Sequence, residues 1–367
     1  MTLKRLTWID LTKGLAILGI VFFHFFQNYP DRLDWVIALD RIGAKIGYGA
    51  VDIFFVIAGF NISYGLALKA QKNNLTKITT DWRSWLIKRL NRLYPTYFLA
   101  IGITLLLYGV VNQSREYYNF KFLLTVLGFA GSSSAFINSG LWFFTVILQA
   151  YLITPIIFWI CNSQPRKILI LGILIGISSK LVCLTVPFES RLYWNFLQHN
   201  HIGSYITQFC LGLYWGIIFS KHQSLRKIDK VATVALFVIS CIIYALFLVT
   251  KTRIIYMQGF DIVFTPFIFL ACYLGFEYLE QFQKQLKYIL RFFFAIGLYS
   301  YQIYLIHQPL FFVFLPYITK NMPIEANIRV AIAIGISVIL LTLYVTLFIW
   351  LEILLRKIIL RVSRQFN

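Results

Sequence analysis

The sequence predicts an all-α protein, a polytopic membrane helix bundle with about ten transmembrane helices and one short extra segment. Composition is the first reason: 59% of the residues are hydrophobic, only 13% are charged and the mean hydropathy is +0.73, far more apolar than a soluble domain requires. The second reason is a series of apolar runs of about 20 residues, the length that crosses the hydrocarbon of a bilayer. Because lipid offers no hydrogen bonds to the backbone, these runs must be helical. They lie at about 8–28, 47–68, 93–111, 141–161, 168–186, 204–220, 231–249, 262–279, 292–315 and 330–355.

An eleventh apolar run, from Phe122 to Gly131, is only ten residues long. It is too short to cross, so we expect a re-entrant or interfacial piece. With that run left out and both termini inside, about two thirds of the 34 Lys and Arg residues fall in inside segments, as the positive-inside rule requires. The longest of these segments, residues 69–92, carries Trp82 and Trp85 in a second half that is typical of an interfacial amphipathic helix. We expect the whole chain, 1–367, to be a single membrane domain.

The net charge and the cysteines exclude two other classes of protein. The charge of +20 is distributed over short loops between apolar runs instead of forming one basic domain, which argues against nucleic acid as a partner. The five cysteines lie within or at the edges of apolar runs without CxxC spacing, so we expect neither a metal site nor a disulfide framework.

Three ionisable residues lie in the first predicted helix, where the bilayer penalises each of them. Lys13 and His24 are eleven residues apart, which brings them within about 20° of one face and separates them by roughly 16 Å along the axis. Asp10 lies on nearly the same face. A polar stripe of this kind points into the bundle or a wet cavity. The alternative for Lys13 is an ion pair with Asp10 at the membrane boundary, and for His24 a hydrogen bond to a neighbouring helix.

Asp52, in the second predicted helix, falls at the same predicted depth as His24. A carboxylate beside an imidazole fixes its tautomer and stabilises the imidazolium, as a general base requires. We therefore expect Asp52 to orient His24, with a purely structural Asp–His pair as the alternative.

Paired arginines precede the third predicted helix, in "KRLNRLYPTY". Arg89 and Arg92 are three residues apart and share a helical face. Guanidinium groups bind phosphates through bidentate hydrogen bonds. The pair is a candidate anion site, with positive-inside charge as the alternative.

Four further polar or aromatic residues are candidates for binding a substrate. Trp142 and Gln149 lie in "LWFFTVILQAYLITP", and Gln302 and His307 lie in "SYQIYLIHQP". Hydrogen bonding between helices explains the polar three equally well.

Taken together, these segments resemble the acyltransferase-3 family of integral membrane O-acyltransferases. Members of that family carry Arg or Lys, ten residues and then His in the first helix, which corresponds here to Lys13 and His24. The resemblance extends to "VDIFFVIAGF", to Arg89 and Arg92 before Tyr–Pro, and to the two segments quoted above. It runs in order from residue 10 to about 309. Ala58 stands where many members have Ser, and "TVILQ" stands where many have S-V-E-E-Q, so any role of that acidic pair is absent.

The resemblance implies transfer of an acyl group, in particular acetyl, from cytoplasmic acyl-CoA to a hydroxyl of a cell-envelope glycan or related acceptor. It suggests a bacterial inner membrane protein in which Arg89, Arg92 and Lys13 hold the CoA phosphates and His24, oriented by Asp52, is the general base. Asp10 is a further candidate for substrate binding. We expect no metal and no C-terminal SGNH hydrolase-like domain. A covalent acyl-enzyme remains an open variant.

The opposing class is a transporter or flippase of a lipid-linked sugar, in which the intramembrane ionisable residues would serve proton coupling or substrate binding. We find no inverted repeat and no matched pair of broken helices in two halves, which are common in secondary transporters. A purely structural role would leave the buried ionisable residues unexplained.

Overall fold

A computed structural model describes residues 5–75, 77–111, 120–187, 189–193, 200–249 and 260–365. Within these ranges the secondary structure is helical, which confirms the predicted fold class. The twelve α-helices are α1 (Thr7–Asn28), α2 (Asp34–Lys72), α3 (Trp82–Val110), α4 (Phe120–Leu127), α5 (Trp142–Ile160), α6 (Pro165–Thr185), α7 (Ile206–His222), α8 (Lys227–Val249), α9 (Phe260–Glu280), α10 (Lys287–Leu298), α11 (Ser300–Asn321) and α12 (Ala326–Gln365).

Nine of the ten predicted runs each coincide with one helix, and the tenth, 292–315, is divided between α10 and α11. The structure is that of a polytopic membrane protein. By length and composition, six of the described helices can cross a membrane, or seven when the bent pair α10 and α11 counts as one span. Some helices extend well beyond their apolar runs. α2 has 39 residues, which is about 58 Å of helix. The predicted interfacial segment around Trp82 forms the first turns of α3.

The short run from Phe122 to Gly131 does not form a helix of spanning length. Its helical part, α4, has eight residues, about 12 Å of helix. A 3-10 turn, Gly131–Phe136, follows it.

The predicted span 292–315 is not one continuous helix, which corrects the prediction. α10 and α11 meet at an angle of 77°, with Tyr299 between them. A Cβ at Gly297 would overlap the carbonyl oxygen of Asp10, and one at Gly14 would overlap the carbonyl oxygen of Phe293. α10 therefore lies directly against the first half of α1, and an apolar run alone does not reveal this bend.

Glycines also allow α2 and α7 to pack backbone against backbone. A Cβ at Gly59 would overlap the carbonyl oxygen of Phe209, and one at Gly212 would overlap the carbonyl oxygen of Val56. Small residues permit such close approach between membrane helices. Trp8 of α1 completes this part of the core, with its ring centroid 4.9 Å from that of Tyr273.

Candidate active site

A cavity of about 210 Å³ lies between α1, α2, α3, α5, α10, α11 and α12. Four cations line it: Lys13 from α1, Arg89 and Arg92 from α3, and Arg356 from α12. Among the described lining residues, Glu352 is the only carboxylate. The structure thus brings together the three predicted cations and adds a fourth, and we call this site the cationic cavity.

Arg356 is held in place by a buried carboxylate on its own helix. Glu352 accepts hydrogen bonds from Arg356 at 2.7 and 2.9 Å, from Thr96 at 2.5 Å and from Gln302 at 2.9 Å. Arg356 also donates to the carbonyl oxygen of Arg92 at 2.8 Å. A buried carboxylate is tolerated only when it is paired and hydrogen-bonded in this way. Gln302, predicted to bind substrate, is therefore also a support for Glu352.

Lys13 forms the ion pair with Asp10 that the sequence allowed as an alternative. Its Nζ lies 3.0 Å from Asp10 Oδ1, and Arg5 Nε lies 2.6 Å from Asp10 Oδ2. Asp10 is buried and does not line the cavity, whereas the Lys13 side chain does. Asp10 therefore positions Lys13.

The two arginines of α3 follow a well-defined helix start. Asp81 caps α3 by accepting hydrogen bonds from the backbone N–H groups of Arg83 and Ser84 and from the Ser84 hydroxyl. These bonds hold the pKa of the Asp81 carboxyl below its ordinary value, led by the Ser84 hydroxyl. Two turns further on, the Arg89 guanidinium lies 5.5 Å from the ring centroid of Trp85.

An unsatisfied hydroxyl also faces the cationic cavity. Tyr301 lines it, and the buried Tyr301 hydroxyl has no hydrogen-bond partner among the described residues. Buried polar groups without partners are uncommon in folded proteins. This hydroxyl can donate to an anionic ligand beside the guanidinium groups.

A second polar group, which we call the imidazole cluster, consists of His24, His307 and Gln308. The amide Nε2 of Gln308 lies 2.9 Å from Nδ1 and 3.2 Å from Nε2 of His24. The two imidazole rings are 5.2 Å apart between centroids. His24 is half-buried and His307 is fully buried. The predicted site residues His24 and His307 are thus neighbours.

The tautomer of His307 follows from its contacts. Its Nδ1 lies 3.0 Å from the carbonyl oxygen of Ile303 and 2.9 Å from that of Tyr304. Carbonyl oxygens only accept, so Nδ1 carries the proton and Nε2 carries the lone pair. That buried Nε2 has no partner among the described residues.

Gln308 is itself fixed by the turn before α5. The Ser139 hydroxyl donates to Gln308 Oε1 at 3.0 Å, so the NH₂ end of the amide points toward His24. In the same turn, Asn138 Nδ2 donates to the carbonyl oxygen of Leu305 at 2.6 Å. Both contacts join this turn to α11, and the amide facing His24 is therefore rigidly held.

The cationic cavity and the imidazole cluster are adjacent along α11. Tyr304 lines the cavity, and its ring centroid lies 5.9 Å from that of His307. Gln302 and His307 are separated by only five residues, about 7.5 Å of helix. A ligand anchored by the cations therefore has a short path to the imidazoles.

Asp52 does not hydrogen-bond His24, which corrects the predicted pairing. Its Oδ2 accepts from the Thr265 hydroxyl of α9 at 3.0 Å. The side-chain partners of the His24 ring are Gln27, at 2.8 Å, and Gln308. Matched depth along two helices does not fix rotation about each axis, and α2 turns Asp52 toward α9.

The two remaining candidates lie in other surroundings. Gln149 donates to the carbonyl oxygen of Asn200 and accepts from the backbone N–H of Ile202, both at 2.8 Å. Its amide thus holds the start of the segment that leads into α7. The Trp142 ring stacks on Tyr205 with centroids 5.6 Å apart.

Sequence reasoning missed Arg356, Glu352 and Gln308. A signal was present for the first two, because they are spaced i, i+4 near the end of an apolar helix where charge is costly. Gln308 had no such signal, since a Gln in a membrane helix is equally explained by a hydrogen bond to a neighbouring helix.

The comparison with protein families shows the family to which the chain belongs. The family model described as "Acyltransferase domain" (Acyl_transf_3) matches residues 6–351, so the chain belongs to this family. It is an integral membrane protein of the O-acyltransferase class, as the resemblance implied.

Two curated bacterial proteins are similar over about half of the chain. "Putative peptidoglycan O-acetyltransferase YrhL" of Bacillus subtilis is 26% identical over 216 residues, which is 51% of this chain and 30% of that protein. "Peptidoglycan O-acetyltransferase OatA" of Listeria monocytogenes is 25% identical over 213 residues, which is 52% of this chain and 31% of that protein. The match thus spans less than a third of each relative's length. No solved structure matches the chain.

Proposed function

We propose that this chain transfers an acyl group, specifically acetyl, from cytoplasmic acyl-CoA to a hydroxyl of a cell-envelope glycan. One observation carries the proposal: a cavity lined by four cations lies next to a histidine pair inside a membrane bundle. Membership of the acyltransferase family supports it. The two relatives named as peptidoglycan O-acetyltransferases make peptidoglycan the first acceptor to test.

The donor is bound at the cationic cavity. Arg89, Arg92, Arg356 and Lys13 hold the phosphates of CoA, because guanidinium and ammonium groups form charge-assisted hydrogen bonds to phosphate oxygens. The Tyr301 hydroxyl donates a further bond. At about 210 Å³, the cavity is smaller than the 300–1,000 Å³ typical of pockets for drug-sized ligands. It therefore takes the diphosphate of CoA, with the nucleoside outside and the pantetheine arm extending toward His24.

The transfer step takes place at His24. His24 removes the proton from the acceptor hydroxyl as that oxygen attacks the thioester carbonyl. The C–O bond forms, the C–S bond breaks, and the CoA thiolate takes the proton back from the imidazolium. The roughly 16 Å rise from Lys13 to His24 along α1 corresponds to the reach of an extended pantetheine arm. Gln27 Oε1, 2.8 Å from Nδ1, accepts the proton of that nitrogen and leaves Nε2 as the base, while Gln308 contacts the ring from α11.

The orientation in the membrane follows from the donor. CoA is cytoplasmic, so the cationic cavity opens to the cytoplasm and the acceptor reaches His24 from the other side. Both termini are then cytoplasmic, in the plasma membrane of a bacterium. The surrounding helices exclude bulk water from the thioester, which limits hydrolysis.

Two variants test this function. In His24→Gln we expect acetyl-CoA binding to be retained and transfer to fall by about 10²- to 10⁴-fold, the usual contribution of a general base. In Arg89→Ala/Arg92→Ala we expect binding to be lost. The measurements are equilibrium binding of acetyl-CoA to the purified protein, and acetate released by alkali from the envelope of cells that express each variant. His222→Gln, at an exposed histidine ending α7, is the matched control.

Unchanged envelope acetylation in His24→Gln at equal expression would contradict the catalytic assignment. Absence of acetyl-CoA binding by well-folded wild-type protein would overturn the donor site and favour a transporter of a lipid-linked sugar.

A further inference from the structure

A second and larger cavity lies on the other side of α1. This apolar cleft has a volume of about 750 Å³ and is walled by α1, α2, α9, α11 and α12. Its walls are formed by hydrocarbon side chains such as Leu15, Phe22, Ile46 and Val338. Leu15 and Ile46 are each 46% exposed and Val338 is 62% exposed, so the cleft is open at the surface that faces the bilayer.

The apolar cleft is separate from the candidate active site. At 100° per residue, Leu15, Gly19, Phe22 and Phe26 fall within an arc of about 60°, and the centre of that arc is about 150–170° from Lys13 and His24. α1 therefore stands between the two sites. A molecule in the cleft contacts the back of α1 and does not reach His24.

The length of the cleft suits a lipid acyl chain. On α1 its lining residues extend from Thr12 to Phe26, a rise of about 21 Å. Half of a hydrocarbon core about 30 Å thick is about 15 Å. The cleft is therefore longer than one leaflet is thick, and an acyl chain from one leaflet can lie in it over the full length of the chain.

Two cations stand at one end of the cleft. Lys45 of α2 lines it and is exposed, and Arg41, one turn earlier, is exposed on the same helical face. Neither forms an ion pair with a carboxylate in the described part of the chain, although Asp40 beside them is paired with Arg32. An apolar cleft with free cations at one end is complementary to an anionic amphiphile.

An orphaned hydroxyl also lines the cleft. Ser337 of α12 is 4% exposed, and its hydroxyl has no hydrogen-bond partner among the described residues. A hydroxyl buried among hydrocarbon without an acceptor is costly. The ester carbonyl of a lipid bound in the cleft would supply the acceptor that this hydroxyl lacks.

We propose that the apolar cleft is the binding site of a resident anionic glycerophospholipid of the surrounding bilayer. One acyl chain lies along Leu15, Gly19 and Phe22, and the phosphate is bound by Lys45 and Arg41. The position behind α1, away from His24, favours a resident lipid over a lipid-linked acceptor. This site does not depend on the proposed acyl transfer.

The test is native mass spectrometry of the purified full chain after incubation with equal amounts of phosphatidylglycerol and phosphatidylcholine of identical acyl chains. We expect wild type to retain phosphatidylglycerol at least about fivefold over phosphatidylcholine, and to melt at higher temperature when it is added, because a ligand that binds only the folded state stabilises it. Arg41→Ala/Lys45→Ala should lose both effects. Arg166→Ala/Lys167→Ala, which removes the same charge from the exposed start of α6, should keep them.

A second pair of variants tests the cleft itself. Val338→Trp fills it and should reduce retention of the lipid, whereas Val182→Trp, at a 51% exposed site on α6, should not. Equal retention of the two lipids by wild type would overturn the proposal. So would displacement of phosphatidylglycerol by a substoichiometric amount of a polyprenyl phosphate, which would make the cleft a carrier-lipid site.

Discussion

The side-chain amide of Gln308 lies 2.9 Å from Nδ1 of His24, and the Ser139 hydroxyl holds the far end of the same amide at 3.0 Å. An amide whose oxygen is already bound cannot turn away without breaking that bond. The NH₂ group is therefore directed at the imidazole, and one ring nitrogen of His24 is kept as an acceptor. The group that can accept the Nδ1 proton of His24, as the sequence suggested for Asp52, is the amide oxygen Oε1 of Gln27 at 2.8 Å, whereas Gln308 contacts the ring from α11 as a donor.

Gln308→Ala should lower turnover by about 10-fold, less than the 10²- to 10⁴-fold expected when the base itself is removed. The reason is that the imidazole loses its positioning contact but remains present. The KM for acetyl-CoA should stay unchanged, because Gln308 does not line the cationic cavity. Steady-state kinetics of the purified protein separate the two parameters, and Gln308→Glu, which keeps the size of the side chain, shows whether the NH₂ donor is needed.

Comparing the turnover of Asp52→Asn with that of Gln308→Ala tests which of the two residues orients His24. Because Asp52 accepts from Thr265, an isosteric amide keeps an oxygen for that bond, and we expect turnover to fall by less than in Gln308→Ala. A larger loss of turnover in Asp52→Asn than in Gln308→Ala would restore Asp52 as the orienting residue.

Arg356→Ala should weaken acetyl-CoA binding by roughly 10- to 100-fold, since a hydrogen bond to a charged group contributes about 1.5–3 kcal/mol. Glu352→Gln should weaken it less, because Arg356 remains but loses its ionic anchor. Isothermal titration with CoA measures both. Arg361→Ala, at an exposed residue of the same helix, should bind like wild type, and equal affinity in Arg356→Ala would remove this residue from the donor site.

Gly212→Ala should destabilise the fold by about 1–3 kcal/mol, the usual cost of overpacking. The added Cβ would overlap the backbone of α2 at Val56, and two packed helix backbones cannot yield as a flexible side chain does. Thermal unfolding in detergent measures the loss. Gly65→Ala on α2 is the control, because nothing lies within 4 Å of its Cβ position; an equal melting temperature for the two variants would contradict the packing argument.

Asp81→Ala should lower the melting temperature at neutral pH, and the difference from wild type should shrink in acid. The hydrogen bonds from Ser84 depress the pKa of Asp81 in the folded state below its ordinary value of 3.8. The folded state thus binds this proton more weakly than the unfolded state, so the carboxylate stabilises the fold above that pH and stops doing so as pH falls below it. Melting curves between pH 7 and pH 3 follow this change. Asp81→Asn, which keeps an uncharged cap, should melt above Asp81→Ala by a difference that stays nearly constant over this range, because neither variant titrates at this position.

Hydropathy was sufficient to predict the helices because a long apolar run in lipid must satisfy its backbone hydrogen bonds internally, which an α-helix does. The i, i+3 spacing of Arg89 and Arg92, and the face shared by Lys13 and His24, follow from helix geometry within one element, and three of these four residues line one cavity. Local periodicity is therefore a good guide within a helix.

Contacts between helices were predicted less well. The partner of His24 depends on the rotation of α2 and α11 about their axes, which no pattern within either run specifies. The bend at Tyr299 depends on Gly297 meeting the backbone of α1, a contact between residues nearly three hundred positions apart. Arg356 required knowing that α12 returns beside α3.

The glycine contacts between α2 and α7 bear on how the protein moves. A shift of either helix along the other would drive backbone into backbone at Gly59 and Gly212, so this pair moves as one rigid body. α12 differs, because only 17% of its apolar stretch is buried, and it carries Glu352 and Arg356. α12 is therefore restrained less by packing than the α2–α7 pair, and the hydrogen bonds of Glu352 to Thr96 of α3 and to Gln302 of α11 hold its cavity-facing side to the bundle.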